Sequence, residues 1–181
     1  MGLLPAVISM VWLRVALILP LIVINTLAHC LPLFVVALFK AGLPLKSVRR
    51  ACNPLLTGLA ERWIAVNSAM IHAFTATRFT VSGTEGLDRD GHYLVLANHQ
   101  SWVDILVLQY VLNRRIQPLK FFLKQVLIWV PVIGLAWWAL GFPFMKRYSK
   151  AYLAKHPEKK GKDLETTRKT CAKFRHNPVG I

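Results

Sequence analysis

The sequence predicts an α/β fold: a mixed sheet with flanking helices, preceded by a hydrophobic membrane-anchoring helix or helical hairpin. Three observations carry this expectation. Residues 15–39 run for 25 positions without an Asp, Glu, Lys or Arg, whereas roughly 20 apolar residues suffice to cross a bilayer as a helix. Residues 92–111 pass from an apolar run through a polar loop into a second apolar segment, a strand–loop–helix order. Hydrophobic residues make up 55% of the 181 and charged residues only 17%. A soluble domain devotes about a quarter of its residues to charge, so part of this surface is expected to face lipid.

Residues 1–45 are read as the anchor and 46–181 as the domain. Pro20, Asn25, His29 and Pro32 interrupt the apolar run, which leaves a span, a kinked helix and a re-entrant hairpin all open. Lys46, Arg49 and Arg50 follow it and place this end on the cytoplasmic side by the positive-inside rule. In residues 54–79, Pro54 and Thr57 suit a helix start, and Trp63, Val66, Met70 and Phe74 recur at three- and four-residue spacing as an apolar stripe. Phe79 and Val81 alternate as a short strand, the turn-rich segment 83–91 follows, and "YLVLAN" reads as a buried strand. A helix is predicted from about Ser101 to Val111. Residues 125–145 carry no charge, but Pro131, Gly134, Gly141 and Pro143 argue for a bent, membrane-facing helix and then a short strand at "GFPFM". Trp129, Trp137 and Trp138 suit either a membrane interface or core packing. Residues 146–175 hold eleven Lys or Arg against three acids, either a solvated helical face or one that meets anionic lipid or a phosphorylated substrate.

Formal charge is +15, from 23 Lys and Arg against 8 Asp and Glu. Such an excess attracts nucleic acid or anionic lipid alike. Long uncharged runs and the lack of a recognition motif favour membrane lipid over nucleic acid. Cys30, Cys52 and Cys171 are widely spaced and form no CxxC pair, so they are expected as small buried hydrophobes rather than a disulfide framework.

The chemistry concentrates in "VLANHQSWVDIL", residues 95–106. Ser101 and Asp104 match a capping box, and Asn98 and His99 then lie in the loop before the helix. On one helix, His99 and Asp104 would sit about 140° apart and pair poorly. With the helix starting between them, the loop can bring His99 over the first turn. Asp104 would then hold one ring nitrogen and leave the other as a base, with a substrate hydroxyl as nucleophile. One His and one Asp are too few ligands for a metal site, and none is expected.

With its leading Asn98 and the aromatic Trp102, "NHQSWVDIL" resembles the H-x-x-x-x-D signature of the membrane-associated glycerolipid acyltransferases, the 1-acyl-glycerol-3-phosphate acyltransferase or PlsC-like family. It looks most similar to the bacterial branch related to lysocardiolipin acyltransferases. "GFPFMKR" resembles the family's second signature, roughly G-x-x-F-x-x-R, through Gly141, Phe144 and Arg147. The resemblance implies catalytic roles for His99 and Asp104, support from Asn98 and Ser101, and phosphate binding by Arg147 with Gly141 and Phe144. It implies transfer of a fatty acyl chain from acyl-CoA or acyl carrier protein to the free hydroxyl of 1-acyl-glycerol-3-phosphate or a related lysophospholipid. No bound cofactor is implied, and the expected location is the bacterial inner membrane with the catalytic region facing the cytoplasm. The family's third, Glu-Gly-Thr-Arg-like signature and its Pro-containing fourth do not occur within the 181 residues, so a domain truncated at its C-terminus is expected. The alternative function is a noncatalytic membrane-anchored lipid-binding or scaffold protein.

Overall fold

The computed structural model describes residues 3–43, 45–98, 100–146, 148–174 and 179–180. The chain divides into two compact units, one formed by Met1–Gly86 with Gln100–Asn113 and the other by Leu87–His99 with Arg114–Ile181.

The first unit is helical. Helix α1 (Leu3–Gly42) is continuous and carries both Pro20 and Pro32 inside it, so the apolar segment is one helix and does not turn back at either proline. Its segment Trp12–Gly42 is long and apolar enough to cross a membrane. Helix α2 (Lys46–Phe74) begins eight residues before the predicted start, with Pro54 inside it. The two helices lie side by side and are joined by a short connection, so they run antiparallel. Asn25 Nδ2 on α1 donates to Asn67 Oδ1 at 2.9 Å and to the Trp63 carbonyl at 3.2 Å on α2. Trp63 Nε1 donates to Thr26 Oγ1 at 3.1 Å.

This polar clasp sets which face of α2 is buried. Cys52, Leu56, Ala60, Ile64 and Asn67 are buried, as are α1's Asn25, Cys30 and Leu33; on α2 this is a four-residue repeat with one step of three. The expected stripe of Trp63, Val66, Met70 and Phe74 lies to one side of it. Val66 is exposed by comparison, at 38%. Buried polar groups need partners, and Asn25 and Asn67 supply one another across the interface, which favours turning Asn67 inward over the most apolar line. Cys30 and Cys52 are buried free thiols as expected, whereas Cys171 is exposed because it lies on a highly charged helix.

Helix α3 (Trp102–Leu112) completes this unit. Its C-terminal end is tied to α2 by Asn113 Nδ2, which donates to the Glu61 carbonyl at 3.2 Å. Tyr110 packs at 5.0 Å between centroids on both His72 and Phe79. Phe79 and Val81 form no strand; Phe79 is drawn into that ring cluster instead of a ladder.

The second unit holds the sheet pieces. Strand β1 (His92–Tyr93) pairs in parallel with β4 (Val179–Gly180), and β2 (Leu123–Lys124) pairs in parallel with β3 (Phe144–Met145). Gly180 also bridges Leu119 in parallel, with Lys120 N–H donating to the Gly180 carbonyl at 2.8 Å. A mixed α/β fold with flanking helices is therefore present, as the sequence predicted. The run "YLVLAN" is not a buried strand, however. Only its first residue is in β1, and Leu94 and Leu96 are 74% and 85% exposed. Apolar composition alone does not fix burial, since much of a folded protein's accessible surface is apolar.

Between β2 and β3 the uncharged stretch is broken, as its prolines predicted. A 3₁₀ turn (Gln125–Trp129) leads through Pro131 into α4 (Ile133–Ala139). Ile133 N–H reaches the Pro131 carbonyl at 2.7 Å, with Val132 at φ 64° and ψ −60°. That is a γ-turn of the rare, strained kind. Gly134 is required just beyond it, since a Cβ there would collide with the Ile128 carbonyl. The three tryptophans divide: Trp129 and Trp138 are 82% and 59% exposed, while Trp137 is half-buried and packs 6.5 Å from Phe142.

Helix α5 (Lys150–Lys155), a 3₁₀ turn (Pro157–Lys159) and α6 (Lys162–Phe174) close the unit. On α6, Lys169 hydrogen-bonds Glu165 at 2.6 Å. That bond first, and the lysine's charge second, hold the Glu165 carboxyl below its ordinary value. A depressed carboxylate pKa adds stability that is present above the unfolded value and is lost as pH falls through the folded one.

The core of this unit is small and centres on Ile116, 1% exposed. A Cβ on Gly180 would lie 2.9 Å from the Ile116 Cδ1, so this side chain seals the strand that joins β1. Replacing it with Ala should cost about 2–5 kcal/mol, read as a lowered denaturation midpoint in mild detergent.

Candidate active site

Helix α3 starts where its sequence says it should. Ser101 has extended backbone angles and its side chain accepts from Val103 N–H at 3.2 Å. In return, Asp104 Oδ2 accepts from Ser101 N–H at 2.7 Å and from Gln100 N–H at 2.6 Å. The reciprocal capping box is complete, and it satisfies backbone donors that a helix start leaves orphaned. One carboxylate thereby fixes the polar loop immediately after residue 99. Both of these bonds fall on Oδ2. His99 itself lies outside the described residues. Asn98 is exposed in the segment that follows β1.

In the second signature the residues separate by task. Gly141 sits at φ 76° directly after α4. Its N–H bonds the Trp138 carbonyl at 3.0 Å, and Phe142 N–H bonds the Trp137 carbonyl at 2.9 Å. Such bonds end a helix on a left-handed residue, so the glycine has a backbone reason to be there. Phe144 is half-buried and pairs with Leu123 in the β2–β3 ladder. Arg147 lies outside the described residues, but its chain neighbours Lys146 and Tyr148 do not.

Both neighbours line a cleft of about 310 Å³ with Gln125, Phe144, Lys159, Lys162 and Thr166. Sequence reading missed this cluster, because Lys159 and Lys162 were lost in a general run of positive charge. The signal was the spacing: two lysines three apart across Gly161, where a turn gives way to a helix. Among the described residues no group of three or more His, Cys, Asp and Glu side chains is placed to hold a metal.

Taken together, this is an α/β domain behind a long apolar helix suited to anchor in a membrane, with a capped helix directly after the candidate base. Residues 78–176, more than half of the chain and both signatures with it, match the family described as Acyltransferase. The chain belongs to that family. No curated protein and no solved structure gives a match.

Proposed function

We propose that this protein moves a fatty acyl chain from an acyl-CoA or acyl carrier protein thioester to the free hydroxyl of 1-acyl-glycerol-3-phosphate or a related lysophospholipid. The reading places it at the bacterial inner membrane, catalytic region toward the cytoplasm, within the PlsC-like branch related to lysocardiolipin acyltransferases. The observation that carries it is the Asp104 capping box, which rigidifies the chain one residue after His99.

In this mechanism His99 takes the proton of the acceptor hydroxyl, oriented and electrostatically supported by Asp104. The alkoxide oxygen attacks the thioester carbonyl, and the tetrahedral intermediate collapses with loss of the thiolate, which recovers the proton from the imidazolium. A carboxylate beside the imidazole favours its charged form during transfer. Asn98 and Ser101 support the loop. Arg147 binds the acceptor phosphate as a bidentate charged donor, while Gly141 and Phe144 shape the turn and strand that lead to it. The defining assay compares thioester cleavage in detergent with and without lysophospholipid. Cleavage that depends on the acceptor is the expected result, and acceptor-independent hydrolysis or none would count against it.

The exposed Trp129 and Trp138 support an interfacial placement of the 125–139 segment, since amphipathic rings settle at the headgroup level. In vesicles containing bromine-labelled lipid, single-tryptophan variants retaining Trp129 or Trp138 should be quenched more strongly than one retaining Trp137. Equal quenching of all three would contradict this placement.

A further inference from the structure

The basic cleft of the second unit has a composition that calls for an anion. Lys146 follows the end of β3, Lys159 comes from the 3₁₀ turn and Lys162 from the first turn of α6. The Tyr148 and Thr166 hydroxyls and the Gln125 amide add neutral hydrogen-bonding groups to the same walls. Among the described residues no carboxylate lines it. Two acids close in sequence are engaged elsewhere: Glu158 faces His156 at 3.4 Å, and Glu165 bonds Lys169 at 2.6 Å.

The walls are also held in place. Tyr148 stacks on Tyr152 at 5.2 Å and 9°, and Tyr152 packs on His156 at 4.4 Å, which fixes the approach to the turn. Lys159 N–H donates to the His156 carbonyl at 3.0 Å. Across the cleft, Thr166 Oγ1 donates to the Lys162 carbonyl at 2.8 Å, and the Thr167 hydroxyl meets Met145 Sδ at 4.0 Å, joining α6 to β3. Three ammonium groups around one concavity repel one another unless a counter-charge sits among them. A volume of about 310 Å³ is at the lower end of small-molecule sites.

We infer that this cleft binds a phosphate ester, with Lys159 and Lys162, which lie outside both family signatures, holding the anion together with Lys146. Its choice of ligand rests on the acyltransferase reading, in which acceptor and donor both carry phosphate esters. The two sources share the same chemistry at the cleft, a dianionic phosphate met by lysines and hydroxyls.

The test uses the full chain in a neutral detergent, with glycerol 3-phosphate, free CoA and inorganic phosphate as calorimetric probes. Lys159→Gln with Lys162→Gln should weaken binding of a phosphate ester about tenfold or more, the scale expected when two charge-assisted hydrogen bonds are removed. Lys155→Gln with Lys160→Gln removes the same charge outside the cleft and should leave affinity nearly unchanged. Whichever of glycerol 3-phosphate and CoA binds more tightly identifies the source. Equal weakening by both pairs, no weakening by either, or loss confined to phosphatidylglycerol vesicles would overturn the assignment. On unmodified protein, glycerol 3-phosphate or CoA should slow amine-reactive labelling of Lys159 and Lys162 relative to Lys155 and Lys160; uniform labelling would overturn it as well. The same titrations on His99→Ala protein separate the two ideas. Lysine-dependent binding without any acyl transfer in the unmodified protein would sink the enzyme reading and leave the cleft standing. Transfer with lysine-independent phosphate binding would do the reverse.

Discussion

His99→Ala should reduce acyl transfer by about 10²–10⁴-fold, the range over which a positioned general base contributes, while the protein still pellets with vesicles. Two parts of the molecule make these outcomes separable. The proposed membrane attachment falls to α1, whose Trp12–Gly42 segment is long and apolar enough to cross a bilayer and whose packing on α2 runs through Asn25, Thr26, Trp63 and Asn67. The helix start after it is fixed by Asp104 and Ser101, so removing the imidazole should leave α3 capped. The measurement is the rate of acceptor-dependent thiol release at saturating lysophospholipid, with vesicle sedimentation alongside. A variant that retains activity within about threefold would remove His99 as the base. A variant that loses both activity and sedimentation would report a fold defect, and the helical content from circular dichroism distinguishes it.

What was legible in the sequence was whatever local chemistry decides. The start of α3 follows from Ser101 and Asp104 at the capping-box spacing, and the structure places the first helical residue at Trp102. The end of the uncharged 125–145 stretch was readable in the same way, because Pro131 breaks it and Gly141 terminates α4. What depends on distant partners was not legible. Strand β1 is defined by residues 179–180, far along the chain, so "YLVLAN" carried no sign that only Tyr93 of it would be paired. On α2, the most apolar stripe lost to the one carrying Asn67, where Asn67 and the α1 side chain Asn25 are buried against one another as hydrogen-bond partners. The cleft was invisible for a related reason. Lysines in a charge run look alike until a turn selects Lys159 and Lys162 and leaves Lys155 and Lys160 outside. Of the candidate catalytic pair, the structure describes Asp104 and its cap, and the pairing with His99 is left to the second experiment.

That experiment exploits the two tasks assigned to one carboxylate. Ser101→Ala removes only the hydroxyl that accepts from Val103 N–H, so it should cost about 0.5–2 kcal/mol of stability and leave kcat within about threefold. Asp104→Asn keeps an oxygen for the Ser101 and Gln100 N–H groups, at some loss of strength, but removes the negative charge. If Asp104 is only a cap, the two variants should behave alike: less stable, nearly as active. If it orients His99 and supports the imidazolium, Asp104→Asn should lower kcat about a hundredfold or more with KM little changed, because the lost interaction matters most as charge develops on the ring. Combining it with His99→Ala then provides the decisive comparison. Groups that act as a unit are strongly non-additive, so Asp104→Asn should cost almost nothing further once the base is gone. A full additional loss in the double variant would mean that the carboxylate works apart from His99, and the pair would have to be abandoned even though the capped helix remained.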